Sequence, residues 1–130
     1  MNIHILTILQ SDQRYETCGD WWFDEVGDLQ IRVSDMGNWK YEALVGFHEL
    51  AEVLLCKDRG ITTEVVDAFD MTWISKRAGD EEPGDDPDCP YRNEHFFASS
   101  VERLLGGQLN VEWGAYDAAV IALNEDPNNQ

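Results

Sequence analysis

Basic residues are scarce in this chain. Nine lysines and arginines stand against 26 aspartates and glutamates, a formal net charge of −17 at pH 7. A field of that sign repels phosphate backbones and anionic headgroups. It therefore excludes non-specific nucleic-acid binding and argues against a membrane surface, while it attracts cations. Cysteine is also sparse. Cys18, Cys56 and Cys89 form an odd, scattered set without a CxxC, the pattern of free thiols in a reducing cytosol rather than of a disulfide framework. Long apolar runs are missing. The stretch MNIHILTILQSDQR has no basic n-region and no small-residue cleavage site, and its apolar part is too short to span a bilayer. Together these absences predict a soluble, cytoplasmic chain. Also missing are a Gly-rich phosphate loop, a GxSxG nucleophile turn, a basic-aromatic patch and any internal repeat.

What is present is enough for one core. The chain has 130 residues, 43 % of them apolar, with five tryptophans and five phenylalanines as large core pieces. Residues 1–130 read as a single domain. The β-branched run at 2–9, NIHILTIL, predicts a strand. In 20-DWWFDEVGDLQIRVS-34, two strand-like runs flank Gly27-Asp28, and Leu29, Ile31 and Val33 alternate with Gln30, Arg32 and Ser34 at the period of a half-buried strand. Asn38 is placed to cap a helix that begins near Trp39 and ends at Arg59-Gly60. Thr62 or Thr63 caps a second helix that opens with 64-EVVDAFD-70. The segment 79-GDEEPGDDPDCP-90 reads as an exposed loop, and its acids lack the DxDxDG spacing of a calcium loop. Further helices are expected over about 93–105, stopping at Gly106-Gly107, and about 112–123, before a tail that frays. The expected class is α+β, a small N-terminal antiparallel sheet followed by three or four helices.

The helix at 39–58 carries the functional signal. Each residue turns a helix by about 100°, so with Val45 at zero, His48 falls near about −60°, Glu52 near about −20°, Cys56 near about +20° and Glu49 near about +40°. One narrow stripe thus gathers an imidazole, two carboxylates and a thiol, while Leu44, Phe47, Leu50, Ala51, Val53, Leu54 and Leu55 cover most of the rest. Such a stripe is either the solvated outer face of a surface helix or a set of groups gathered around a cation. No lysine or arginine lies between Tyr41 and Cys56 to suit it to water. Two anions side by side repel unless a cation or a proton sits among them.

The dyad His48-Glu49 with Glu52 resembles the HExxH helix of zincin metallohydrolases, with Glu52 standing where the second histidine belongs. The resemblance covers this helix and the strand before it. It implies a hydrolase acting on a small-molecule, peptide, amide or phosphoester substrate, with zinc held by His48 and Glu52 and with Glu49 as the base that activates water. A third ligand has to come from elsewhere. His95 is the candidate, sharing one face of its helix with Ser99 and Glu102, opposite Phe97, Val101 and Leu104. Cys89 is a further soft donor nearby in sequence.

The acids alone spell a second pattern, 49-ELAE-52 with 64-EVVD-67. It resembles the ExxE…ExxD signature of MazG-type NTP pyrophosphohydrolases, which implies Glu49, Glu52, Glu64 and Asp67 around Mg²⁺, with Asp70 nearby. Glu64 and Asp67 would equally suit the first turn of a helix, where acids complement the dipole. A third expectation follows from charge alone: a non-catalytic acidic protein that occupies a basic partner. The oligomeric state stays open.

Overall fold

The computed structural model describes residues 1–75 and 81–125. Three strands, β1 (Ile3–Ile8), β2 (Gly19–Phe23) and β3 (Leu29–Ser34), precede four helices, α1 (Trp39–Asp58), α2 (Thr63–Ile74), α3 (Arg92–Gln108) and α4 (Trp113–Glu125). The class is α+β, as the sequence pattern implies. The first two residues of the expected acidic loop, Gly79 and Asp80, and the expected fraying tail at 126–130 lie outside the described residues.

The β2–β3 hairpin forms where the alternation places it. Asp24 Oδ1 accepts from the Val26 and Asp28 amides, and Gly27 takes the left-handed conformation that the turn needs (φ 85°). Leu29, Ile31 and Val33 point into the core with at most 1 % exposure. On the opposite face Arg14 and Arg32 stack on Trp22, their guanidinium carbons 4.8 and 5.1 Å from the ring centroid. The strand order is β1-β3-β2, with β2 antiparallel and β1 parallel to β3. The sheet is therefore mixed where an antiparallel one was expected. The cause is the strand order. Consecutive β1 and β2 run oppositely, but the hairpin inserts β3 between them, which leaves β1 alongside a strand of its own direction.

α1 has the boundaries that its caps dictate. Asn38 Oδ1 accepts from the Lys40 and Tyr41 amides, and Gly60 (φ 72°) ends the helix, with the Ile61 amide returning to the Cys56 carbonyl. The helix packs on β2 and β3 along one side and on α3 along another, its most extensive contact. α3 runs past the expected stop at Gly106-Gly107. Gly106 is buried against Trp113 and Leu44, where a Cβ would lie 3.2 Å from the indole, so it serves close packing inside the helix. Asn110, at φ 56°, provides the actual termination, with the Val111 amide bonded to the Gly106 carbonyl. Among the described residues no helix is long and apolar enough to cross a membrane.

Candidate metal centre

α1 buries ionisable side chains among apolar ones: Leu44, Val45 and Val53 are in the core, and the stripe lies between them. The ionisable stripe faces inward: His48, Glu52 and Cys56 are buried at 7, 5 and 0 % exposure, while Phe47 and Leu54 are 41 and 45 % exposed. The sheet holds one flank of α1 and α3 the other. The stripe between these flanks opens on a cavity of about 200 Å³ that loop 81–84, α3, α4 and β2 help to enclose. The solvated-face reading of the stripe does not describe this geometry.

His48, Glu52 and His95 meet in that cavity. His48 Nε2 lies 3.2 Å and His95 Nδ1 3.1 Å from the same oxygen, Glu52 Oε2, and the two rings are 4.8 Å apart at an interplanar angle of 65°. The other Glu52 oxygen accepts from the Trp21 indole N–H at 3.1 Å. A tetrahedral cation with bonds of about 2.0–2.2 Å has ligand–ligand edges of about 3.3–3.6 Å, so the donors sit at hydrogen-bond spacing and need to part by only about a few tenths of an ångström to surround an ion. Behind His48, Nδ1 is 2.7 Å from Glu102 Oε1, and the Tyr116 hydroxyl donates to Glu102 Oε2 at 2.7 Å. A carboxylate on the far nitrogen is the arrangement that fixes the tautomer of a metal-ligating histidine and leaves Nε2 free to bind.

Charge couples these groups strongly. Burial acts to lower the pKa of His95, but hydrogen bonds to Asp85, Glu52 and Glu82 outweigh it and push it up to about 12. Burial is likewise overridden at His48, which Glu102 and Glu52 raise well above the usual imidazole range. Burial opposes ionisation of Glu52 too, yet the two imidazoles hold its carboxyl down at about 2. The carboxylates thus favour protons on both rings, and a cation entering the cluster must displace protons.

Glu49 differs. It is half-buried and lines the cavity without a hydrogen bond or ion pair to any described residue, and burial together with the Glu52 charge raises its pKa well above the carboxylate range. Gly19 leaves it room, since a Cβ there would lie 2.7 Å from Glu49 Oε1. Asp70 forms a third buried acid on the cavity wall. It accepts from the Tyr91 and Tyr15 hydroxyls, yet burial still raises it to about 7.

The other sequence candidates are placed elsewhere. Asp67 pairs with Arg14 at 3.0 Å, and it and the exposed Glu64 border a separate depression on the far side of β2, so the two ExxE/ExxD pairs do not converge. Cys89 is buried, and burial raises its thiol to about 11, so it stays protonated at neutral pH. Cys56, at the end of the stripe, is likewise raised by burial. Glu102 is the partner of His48 and Tyr116, while Arg103 stacks on Trp113 with its guanidinium carbon 4.9 Å from the ring. Trp21, Tyr91, Tyr116, Glu82 and Asp85 also join the cluster. No local sequence signal marks them, because each reaches its partner across a long chain separation.

Fold and site together define an acidic α+β protein with a buried His/Glu cluster of metal-ligand geometry. Comparison with protein-family models, curated proteins and solved structures gives no match to this chain.

Proposed function

We propose that the chain is a divalent-metal-dependent hydrolase, with the cation held by His48, Glu52 and His95 and with Glu49 as general base. The observation that carries this reading is the buried convergence of two imidazole nitrogens on one Glu52 oxygen, with the Glu102 carboxylate behind His48. A donor set of two imidazoles and one carboxylate favours zinc. Bound there, the ion would supply Lewis-acid polarisation and more acidic water.

The side chains supply the rest. Trp21 fixes the orientation of Glu52, and Glu102 with Tyr116 fixes that of His48. Glu49 faces the cavity unpaired among the described residues. A cation bound beside it would offset the Glu52 charge and favour its ionised form, which could take a proton from the attacking water and return it to the leaving group. Among the described residues no lysine or arginine lines the cavity, whereas Asp20, Glu49, Glu52, Asp70, Glu82 and Glu102 do. That lining suits a neutral or cationic amide or peptide better than a phosphoester. At about 200 Å³ the space is below the roughly 300–1,000 Å³ of pockets for drug-sized ligands, so it admits a small molecule or one end of a larger one. A Mg²⁺-dependent nucleotide pyrophosphohydrolase draws less support, because Glu64 and Asp67 stand apart from Glu49 and Glu52. An acidic decoy for a basic partner leaves the inward direction of these acids without a purpose.

The test is elemental analysis of protein purified without chelator, alongside a panel of amide, peptide and phosphoester substrates. Wild type retains zinc and hydrolyses an amide or peptide. Glu49→Gln keeps the zinc and loses about 10²–10⁴ in rate, the usual worth of a general base. His48→Ala loses both. Protein that neither retains zinc nor takes it up, or full activity in Glu49→Gln, would refute the reading.

A further inference from the structure

His95 presents its second nitrogen to a different pair of acids. Nε2 lies 3.2 Å from Glu82 Oε2 and 3.5 Å from Asp85 Oδ1, with the Ser99 hydroxyl also at 3.5 Å. Ligand atoms of these three residues fall within 4.8 Å of one another, as do those of His48, Glu52 and His95. The His95 side chain is only 7 % exposed, while those of Glu82 and Asp85 are 48 and 67 % exposed, so this grouping opens to solvent at the mouth of the cavity. The backbone between the two acids is seated on the ring: a Cβ on Gly84 would run into His95, so only glycine lets the Pro83–Asp85 turn lie this close. The turn therefore holds both carboxylates against the outer edge of the imidazole.

We infer that Glu82, Asp85 and the outer nitrogen of His95 form a second divalent-cation site, which shares the imidazole with the first and ties the 82–85 turn to α3. This goes beyond the function proposed above and rests on it only in that His95 is common to both sites. An imidazole has one nitrogen on each side, and bridging two cations requires the ring to give up both protons. One oxygen donor on each acid and the neighbouring Ser99 hydroxyl supply the hard ligands that a partly exposed cation prefers. Its exposure makes the second site the weaker of the two, open to exchange with bulk ions. Occupancy would close one wall of the cavity, because Glu82, Pro83 and Gly84 all line it.

The experiment is equilibrium dialysis of the metal-free full chain against buffered zinc chloride, read by elemental analysis. Wild type binds two zinc ions per chain in a tight and a weaker class. In Glu82→Gln and Asp85→Asn the weaker class loses at least tenfold in affinity while the tight class is unchanged. Asp88→Asn, an exposed acid of the same loop, keeps both classes. His48→Ala loses the tight class and keeps the weaker one. A single zinc in wild type that Glu82→Gln and Asp85→Asn leave intact would overturn the second site and leave the first standing. Equal losses in Asp88→Asn and Glu82→Gln would overturn it as well, since they would mean diffuse attraction by the acidic loop. A single zinc lost on Glu82→Gln but kept in His48→Ala would put the ion at the outer nitrogen alone, overturning the first site and with it the sharing of the imidazole between two cations.

Discussion

Glu102→Gln isolates the role of the carboxylate behind His48. The Glu102 side chain is 12 % exposed and bonds His48 Nδ1 at one oxygen and the Tyr116 hydroxyl at the other, both at 2.7 Å. Glutamine keeps the shape and can still accept from His48 through its one oxygen. Its amide N–H turns toward the Tyr116 hydroxyl, which must then accept instead of donate, so the substitution removes the charge and reverses that one outer hydrogen bond. A hydrogen bond to a charged group contributes about 1.5–3 kcal/mol and a neutral one about 0.5–1.5 kcal/mol. The difference, about 1–1.5 kcal/mol, corresponds to roughly a tenfold weakening of zinc binding. That falls at the lower end of the roughly 10–100-fold losses seen when a partner behind a metal ligand is removed. Glu102 also stabilises the protonated ring that competes with metal, so part of the loss is masked near pH 7 and the full effect emerges as pH rises. Calorimetric titration against a competing chelator at two pH values measures it, with Arg103→Gln as the neighbouring control. A folded Glu102→Gln protein with wild-type zinc affinity at both pH values would refute the claim that His48 Nε2 is a ligand held in place from behind.

Other consequences concern stability as well as binding. Asp70, raised to about 7 by burial, is more easily protonated folded than unfolded, so its contribution is fully present below about pH 4 and is lost as pH climbs through 7. Metal-free wild type should lose on the order of 4 kcal/mol relative to Asp70→Asn between pH 4 and pH 8; parallel urea-derived stability curves for the two proteins would contradict this. Trp21→Phe takes the indole donor from a buried carboxylate and should cost about 1–3 kcal/mol in urea unfolding, with weaker zinc binding. Gly84→Ala should displace the 82–85 turn from His95 at a cost of about 1–3 kcal/mol, whereas Gly107→Ala, in open space within α3, should stabilise by about 0.5–1 kcal/mol. Thermal melts of the two variants are the comparison, and a tolerated Gly84→Ala would mean that the turn is not seated on the ring.

The parts of this fold written in short-range chemistry could be read before the structure. Asn38 and Gly60 bracket α1, Gly27 turns the hairpin, and Leu29, Ile31 and Val33 mark the buried face of β3. His48, Glu49 and Glu52 were visible as a group because a helix brings residues one turn apart to one side without help from the rest of the chain. The direction in which that side points was not visible. An almost wholly apolar helix suggests that Phe47 and Leu54 are core, yet the sheet and α3 take the two flanks and leave these residues outermost. Glu102 and Tyr116 lie 54 and 68 positions beyond His48, and only the packing of α3 and α4 makes them its support. The acids of the 81–88 loop read as solvated, and Glu82 and Asp85 are indeed exposed, but the turn carrying them is laid against His95 by Gly84. The parallel placement of β1 depends on strand order, which no local pattern encodes.

X-ray absorption at the zinc edge, on protein loaded with one equivalent of zinc, tests the central claim most directly. Coordination by His48, Glu52 and His95 predicts two imidazoles at about 2.0–2.1 Å together with oxygen donors and no sulfur. A shell of oxygen alone, or scattering from sulfur at about 2.3 Å, would contradict it.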